Sequence, residues 1–472
     1  MSYVATELDL QVAKQPYREL FIKIEVLDFN MNIIDEISGY CIDGSISIDA
    51  DADIRRTCRI EMVVNNESLI VQEGSDIWLD RYIKLYVGIR HISTQKIVWY
   101  NCGVYLVNKP DTTYSADQRQ LAFEGVDLMA KLTGARNGII PSMTTKIEAG
   151  ENMREVLVST ITQLGKFSKY IIDCEDDKEI PYDITIDAGG TVYDLLAKIR
   201  DIYPNYEMFF DLDGVFVFQK IPSEVSDPIS IQYDLLKELV ISEDVGINFE
   251  EVKNKVTVMG KSLTPDDYSS DIKLSGSTYS ITLEAKELVK ENETIGFTIK
   301  EIAENPKLSI SDGEKVIVTG DIINEDGTPA VFPESNEYYI VKMRSDGKFL
   351  YMGRQQPTAT CSDTNPESPF CISKIGEIYT ILHGGEFDNI TTDQLCLERA
   401  EYELWKATRL NDNITLTLAP IYWADVNTKI YYIDSNTKKW NQYIIKKINT
   451  DLSIGGSQTI NAIKFYPLYP DI

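Results

Sequence analysis

Apolar and polar residues alternate with a period of two through most of the first 135 residues. Segments 21–27, 44–49, 58–64, 82–89 and 97–100 each put apolar side chains on one face, the pattern of a half-buried strand. In 44–49 the inward residues are Ile46 and Ile48. Segment 103–134 predicts strand, turn, strand and short helix. Lys109-Pro110-Asp111 ends the first strand, because proline cannot donate to a sheet ladder and Asp favours a turn. The second covers 119–124, with Leu121 and Phe123 on one side and Gln120 and Glu124 on the other. Residues 125–132 then open a short amphipathic helix, with Asp127 near its start where the helix dipole favours an anion. About six strands separated by polar turns point to a barrel or sandwich.

The period changes in residues 136–240. Met153, Val156, Leu157, Thr160, Ile161 and Leu164 recur at helical spacing and form one apolar stripe. A second helix is predicted over 191–203, with Val192, Leu195, Leu196 and Ile199 on one face; Gly189-Gly190 precedes it and Pro204 stops it. Segments 206–212 and 215–219 flank Asp213-Gly214, a two-residue hairpin signal. Strands return at 254–260. Residues 261–345 read as an insertion of short strands and polar turns, among them Asn324-Glu325-Asp326-Gly327, and 353–370 reads as the longest loop. A helix with Leu395, Arg399, Tyr402, Leu404 and Trp405 follows, capped by Thr391 or Thr392. Strands are predicted at 414–418, 429–433, 442–448 and 459–465; Asp451 to Gly456 turn between the last two, and Pro467 ends the series. The two ends of the chain thus echo each other: a β-rich block with an amphipathic helix, on either side of an α+β module.

At 472 residues the chain has room for roughly three domains. Its 46 basic and 74 acidic residues give a formal charge of −28, which argues against reading DNA sequence or adsorbing to anionic lipid. The same charge suits solubility, and suits a surface past which DNA must slide. The 27 tyrosines suit half-buried sheet faces and subunit interfaces. Seven widely spaced cysteines with no C-x-x-C pair read as reduced thiols of a protein made in a cytosol. Only Cys361 and Cys371, which bracket a Pro/Ser-rich loop, have a spacing that suggests a bridge. The N-terminus lacks a secretion signal, and no window approaches the roughly 20 apolar residues of a membrane span.

Candidate chemistry is sparse. The two histidines, His91 and His383, both sit in turn contexts, which leaves no base for Ser- or Cys-based catalysis. There is no G-x-S-x-G, no P-loop and no G-x-G-x-x-G after a strand. Asp49, Asp51 and Asp53 alternate, and Glu175-Asp176-Asp177 forms a second acidic cluster; both read as solvated charge. Asp211-Leu212-Asp213-Gly214 reads as a hairpin turn rather than half a calcium loop. No catalytic, cofactor-binding or metal-binding residue is assigned, and no cofactor is expected.

Four segments together resemble the phage tail hub, or baseplate hub, family of tail-associated, tail-tube-like proteins, of the kind found in phages of Gram-positive hosts. The first is 103–134. The second is 206–211 with Asp213-Gly214-Val215-Phe216. The third runs from Asn365-Pro366 through Gly384-Gly385-Glu386 to Tyr402-Glu403-Leu404. The fourth is Trp423-Ala424-Asp425-Val426-Asn427 with Gly455-Gly456.

The resemblance implies a β-rich α+β fold of two tail-tube-like β-barrel domains with an intervening small α+β module. The boundaries expected are 1–135 for the first barrel, 136–240 for the module and 241–472 for the second barrel with an inserted β-rich subdomain at about 261–345. It implies a structural virion protein and not an enzyme. The expected role is the central hub of a tail tip or baseplate, a homotrimeric ring joining the tail tube to the tip and lining the DNA channel. Expected partners are a tail tube or distal tail protein above, a tip or spike protein below, and passing genomic DNA without specific binding; no membrane anchor is expected. Relatives often carry a further peptidase, lysozyme-like or fibre domain, and this chain reads as the hub core alone, made in the host cytoplasm. The alternatives are a receptor- or carbohydrate-binding tail protein, in which Trp78, Trp423 and Trp440 would cluster exposed, and a tail-associated cell-wall hydrolase with acids in a cleft near Glu175.

Overall fold

The computed structural model describes residues 3–63, 73–75, 77–79, 81–114, 119–141, 145–181, 183–202, 205–262, 264–269, 272–283, 286–324, 326–408, 411–435, 437–453 and 455–465. The stops at Pro204 and Pro467, Glu325 of the 324–327 turn and the Cys41 side chain lie outside the described residues. The chain forms two compact units, Met1–Glu250 with Leu410–Tyr469, and Glu251–Arg409.

The first unit begins with helix α1 (Glu7–Ala13), which sequence patterning did not reveal. Thr6 Oγ1 accepts from Asp9 N at 3.2 Å and the Asp9 carboxylate accepts from Thr6 N at 2.7 Å, a reciprocal cap. Six antiparallel strands follow: β1 (Leu20–Leu27), β2 (Ile33–Asp49), β3 (Arg56–Val63), β4 (Tyr82–Arg90), β5 (Ile97–Tyr114) and β6 (Arg119–Asp127). Their order is β1-β4-β5-β6-β3-β2, and β2 pairs back onto β1, so the sheet closes into a barrel. Ile24, Ile46, Ile60, Leu85 and Phe123 fill it.

Two expectations for 103–134 are corrected. Lys109-Pro110-Asp111 does not end the strand: β5 runs through it, with a bulge between Asn108 and Asp111 and Lys109 at φ 43°. A bulge releases residues from the ladder, so the missing proline N–H costs no bond. The amphipathic helix is also absent. Strand β6 continues to Asp127, and Leu128–Lys131 make one tight turn. Leu128, Met129, Ala130 and Leu132 are all buried, so the segment has too little polar face for a surface helix. Asp127 does cap this turn, accepting from Met129 N at 2.9 Å.

The module contains β7 (Thr145–Ile147), α2 (Met153–Ser159), β8 (Tyr170–Ile172), β9 (Ile184–Ile186), α3 (Val192–Arg200), β10 (Tyr206–Phe210) and β11 (Phe216–Lys220). Helix α2 widens at its end, where Gly165 N donates to Thr160 O at 2.9 Å, five residues back. The stripe from Met153 to Ile161 is buried, whereas Leu164 is exposed. Thr191 caps α3, and Val192, Leu195, Leu196 and Ile199 are buried as their spacing predicts. The β10–β11 connection is wider than the two residues expected. The Asp211 carboxylate accepts from both Asp213 N and Val215 N at 2.9 Å, which stretches the turn over 211–215. Strand β12 (Ile229–Ile231), helix α4 (Tyr233–Leu239) and strand β13 (Val240–Asn248) come next.

The second unit opens with β14 (Lys255–Met259). Strands β15 (Asp267–Ser269), β16 (Ile272–Ser275), β17 (Thr278–Thr282), β18 (Thr294–Thr298), β19 (Lys307–Ser311), β20 (Val316–Ile323), β21 (Tyr338–Met343) and β22 (Phe349–Arg354) form one eight-stranded sheet. Phe297, Phe332, Tyr279 and Tyr339 meet in its core. Then come β23 (Thr358–Ser362), α5 (Ile372–Ile375), β24 (Tyr379–Leu382) and α6 (Asp393–Ala407), the last capped by Thr392. Strand β14 lies between β23 and β24, and Cys396 and Ala400 of α6 pack on Val256 and Val258. Segment 353–370 is therefore not one loop: pairing with β14 draws 358–362 into a strand. Cys361 and Cys371 are free thiols.

The first unit resumes with β25 (Asn411–Leu418), β26 (Lys429–Ile433), β27 (Trp440–Asp451) and β28 (Gln458–Lys464). The echo between the chain's ends now has a strand-by-strand form. β12, β13, β25, β26, β27 and β28 repeat β1 to β6 in chain order. They also repeat their neighbours: β13–β25, β25–β28, β28–β27, β27–β26 and β26–β12 match β2–β3, β3–β6, β6–β5, β5–β4 and β4–β1. One closure differs. β12 is three residues long, runs parallel to β26 and does not pair with β13; Leu235, Leu236 and Leu239 of the intervening α4 enter the same core. β2 pairs with β27 from Ser45↔Asp451 to Asp49↔Lys447, which makes the two blocks one twelve-stranded sheet.

The close approach of β6 to β3 sets a test. A Cβ on Gly125 would sit 2.6 Å from Cys58 Sγ and 3.1 Å from Tyr105 Cβ. Gly125→Ala is expected to cost about 1–3 kcal/mol, read as a lower urea midpoint at unchanged slope.

Candidate functional site

A buried polar cluster of the first unit begins at Arg55-Arg56, the only adjacent arginine pair in the sequence. Strand alternation puts Arg56 on the same face as Cys58, Ile60 and Met62, so the ladder that builds the barrel wall carries a guanidinium into it, 1 % exposed. Arg56 Nη1 donates to Phe210 O and Nη2 to Asp425 Oδ2, both at 2.6 Å. Its backbone N–H donates to Asp127 Oδ2 at 2.8 Å. Arg55 Nη2 donates to Glu207 Oε2 at 2.5 Å, and its guanidinium lies 4.0 Å from the Phe209 ring centroid. Glu207 also accepts from Asn427 Nδ2 at 2.6 Å and Gln219 Nε2 at 2.7 Å. Asn427 Oδ1 in turn accepts from Lys446 Nζ at 3.1 Å.

The members come from the first barrel (Arg55, Arg56 at the start of β3, and Asp127 of β6), the β10–β11 hairpin of the module, and the 425–427 turn and β27 of the second block. Burial disfavours the Arg56 charge, but Asp425, Tyr105, Asp127 and Asp211 outweigh it and leave the pKa raised. Burial also raises Asp127, against the backbone N–H donors of Arg56 and Met129. Every carboxylate oxygen of Glu207 is bonded, so the cluster ties the segments it joins together as a clamp.

The residues weighed for chemistry lie apart from it or beside it in structural roles. Asp49 pairs with Lys447 at 2.9 Å, Asp51 with Lys446 at 3.3 Å, and Asp53 accepts from Tyr193 OH at 2.8 Å. Glu175 pairs with Lys220 at 2.6 Å and Lys178 at 3.3 Å, and Asp176 with Arg154 at 2.8 Å. Asp213 pairs with Lys84 at 2.6 Å. His91 is buried in its turn, with Nδ1 2.8 Å from Thr94 Oγ1, and His383 is exposed. Among the described residues no group of three or more His, Cys, Asp or Glu could hold a metal. Trp78, Trp423 and Trp440 do not form one exposed cluster: Trp423 is buried against Tyr100, and Trp440, half exposed, stacks on Tyr431. No helix among the described residues is long and apolar enough to cross a membrane.

Against this geometry the chain compares as follows. No curated protein matches its sequence. Residues 367–469 match a family profile described as a domain of unknown function, DUF5048. The 43 kDa tail protein of prophage MuSo2 from Shewanella oneidensis is similar in structure at TM-score 0.51 and 13% identity, covering 94% of this chain and 98% of that one. The tail protein from Neisseria meningitidis MC58 is similar at TM-score 0.51 and 11% identity, covering 94% and 96%. The fold is that of phage tail proteins. It extends over nearly the whole chain, β-rich with a closed first barrel, as the hub resemblance led us to expect.

The clamp escaped sequence reading, yet a signal was present. Alternation in 56–63 forces an arginine onto the core face of this strand, and a buried arginine requires an acidic partner. Replacing Arg56 by Met strands Asp425 and the Phe210 carbonyl, and is expected to destabilise by about 3–5 kcal/mol in denaturant titration. Lys84→Met, at the more exposed Asp213 pair, should cost under about 1 kcal/mol. Burial likewise pushes the Cys58 thiol well up and Cys102 up to about 12. Iodoacetamide at pH 8 is therefore expected to label neither in the folded protein and both in urea.

Proposed function

We propose that the chain is the structural hub of a phage tail tip or baseplate, a homotrimer whose ring joins the tail tube to the tip and surrounds the passage for DNA. The observation that carries this reading is the repeated six-strand block within one sheet. A trimer of such chains presents six similar blocks around a threefold axis. It can therefore meet a sixfold tube on one side and a threefold tip on the other. The tail-protein fold along the whole chain and the acidic excess support the same reading. Acidic walls repel phosphates and let DNA pass without arrest. The role is mechanical rather than enzymatic. The partners are the tube or distal tail protein above, the tip or spike protein below, and passing DNA held by no specific contact. The protein is made in the host cytoplasm and resides in the virion tail.

Light scattering and negative-stain microscopy on the purified chain test the proposal. The expected result is a mass of three chains and a ring with threefold symmetry and a bore that is not strongly positive. A lone monomer at high concentration, together with absence from purified virions, would overturn it. In a mobility-shift titration at low salt, duplex DNA should not be retained.

A further inference from the structure

The two halves of the repeat differ in what lies on their matching hairpins. In the first block Ile83, Leu85, Tyr100 and Cys102 face the core, so alternation turns Lys84 of β4 and Asn101 of β5 outward. The acidic turn of the module sits on them. Lys84 Nζ meets Asp213 Oδ1 at 2.6 Å, and Asn101 Nδ2 donates to Leu212 O and Asp213 Oδ1, both at 3.1 Å. The counterpart in the second block is the β26–β27 hairpin. There Tyr432 and Tyr443 face the core, which turns Tyr431, Trp440 and Gln442 outward. The ladder sets Tyr431 opposite Gln442 and Ile433 opposite Trp440.

This second hairpin is open to solvent at its centre, where Trp440 is 51% exposed. The indole is nevertheless fixed. Tyr431 stacks on it, with centroids 4.7 Å apart and planes at 21°, and Tyr233 of α4 meets it edge-on at 4.9 Å and 74°. A ring already held by two neighbours loses little freedom when something binds over it. The tip beside it is a folded turn. Lys438 N donates to Asp434 O at 2.8 Å, and Asp434 Oδ1 accepts from Thr437 N at 3.1 Å. Lys438 and Lys439 are exposed on this tip, and among the described residues neither carries an ion pair. Lys446 and Lys447, farther along β27, are by contrast tied to Asp51 and Asp49.

We infer that the β26–β27 tip, with Trp440, Lys438 and Lys439, docks on an acidic surface of a second copy of this chain. Trp440 and Tyr431 form the apolar centre of the contact, and the two lysines pair with carboxylates at its rim. An aromatic centre inside a charged rim is the anatomy of a protein contact. The sign of the rim selects the occupant. Two chains of formal charge −28 repel each other, which favours contacts that bring opposite charges together locally. Free lysines on an otherwise acidic chain supply one half of such a contact, and any copy of the chain has acids for the other. The first block shows the same chemistry within the chain, where Lys84 takes Asp213 on the matching hairpin. A basic tip meeting an acidic face is a head-to-tail contact, which closes as a ring. The inference rests on the hub reading above and names the surface through which copies associate.

Light scattering on the full chain across a concentration series tests this. The variants are Trp440→Ala, Lys438→Glu with Lys439→Glu, and Lys438→Arg with Lys439→Arg. All change exposed side chains, so each should still unfold cooperatively in urea and assembly is read on folded protein. The alanine and glutamate variants are expected to need about tenfold or higher concentration to reach the mass of three chains. The arginine variant, which keeps the charge, should assemble as wild type does. Wild-type trimer with unchanged assembly in either the alanine or the glutamate variant would overturn this contact and leave the hub reading standing. Monomer at every concentration, wild type included, would overturn both. Duplex DNA retained at low salt by wild type and released by the glutamate variant would assign the lysines to phosphate and overturn the second copy as occupant.

Discussion

β2 is longer than its barrel needs, and the joining of the two blocks follows from that. β2 covers seventeen residues, Ile33–Asp49. At about 3.3 Å per residue it extends well beyond what one small barrel needs. Its first half closes the barrel against β1, from Phe21↔Tyr40 to Leu27↔Ile33. Its second half keeps β3 on one edge and takes β27 on the other, from Ser45 to Asp49. A shorter strand would leave the two blocks without a shared ladder. The long one makes a shared ladder, so the blocks cannot rotate against each other without breaking backbone hydrogen bonds. The core responds accordingly: Ile46 and Ile48 of β2 belong to one apolar cluster with Ile445, Ile448 and Ile460 of the second block.

The ladder fixes the two blocks to each other but not the module between them in the chain. The arginine clamp does that, together with the Lys84–Asp213 and Asp53–Tyr193 contacts. A helix–sheet module resting on a barrel by apolar contact alone has many poses of similar energy. Two buried guanidiniums that must satisfy Glu207, the Phe210 carbonyl and Asp425 allow few. Such a cluster adds little net stability over a well-packed apolar substitute, because two charges lose their hydration. What it adds is selectivity among poses, since any misdocked arrangement leaves a charge buried and unpaired.

Local chemistry was largely legible from sequence. The strands with clean alternation, such as 21–27 and 58–64, the stripes of α2 and α3, and the cap at Asp127 followed from period and residue type. The failures share a cause: a partner strand overrode a local signal. Pro110 looks like a stop until β6 supplies a ladder with a bulge to receive it. Thr358-Ala359-Thr360-Cys361-Ser362 looks like loop until β14 pairs with it across a hundred residues. The first half of β2 lacks alternation because its pairing with β1, and not its own pattern, makes it a strand. The repeat was visible only as an echo, because equivalent strands share neighbours rather than side chains. The clamp stayed hidden because its acids, Glu207 and Asp425, lie more than two hundred residues apart in the chain.

The charge balance gains meaning from where the cations sit. Arg55 and Arg56 are spent in the clamp. Lys429 is fully buried, with Nζ donating to the carbonyls of Glu224 at 2.8 Å, Val225 at 3.1 Å and Asp227 at 3.2 Å. Burial lowers its pKa, with Asp227 opposing, and three carbonyl acceptors favour keeping the proton on the amine. Lys446 and Lys447 are tied to Asp51 and Asp49 beside the β2–β27 ladder. Positive side chains thus serve as internal fasteners in this unit. The chain carries 74 acids to 46 bases, and Lys429, held by carbonyls rather than by a carboxylate, is the cation among these whose burial leaves the outer surface more acidic. Net charge alone is only a statement about solubility. Arg55, Arg56 and Lys429 are buried inside the fold, so these three cations hold segments together and offer nothing at the surface.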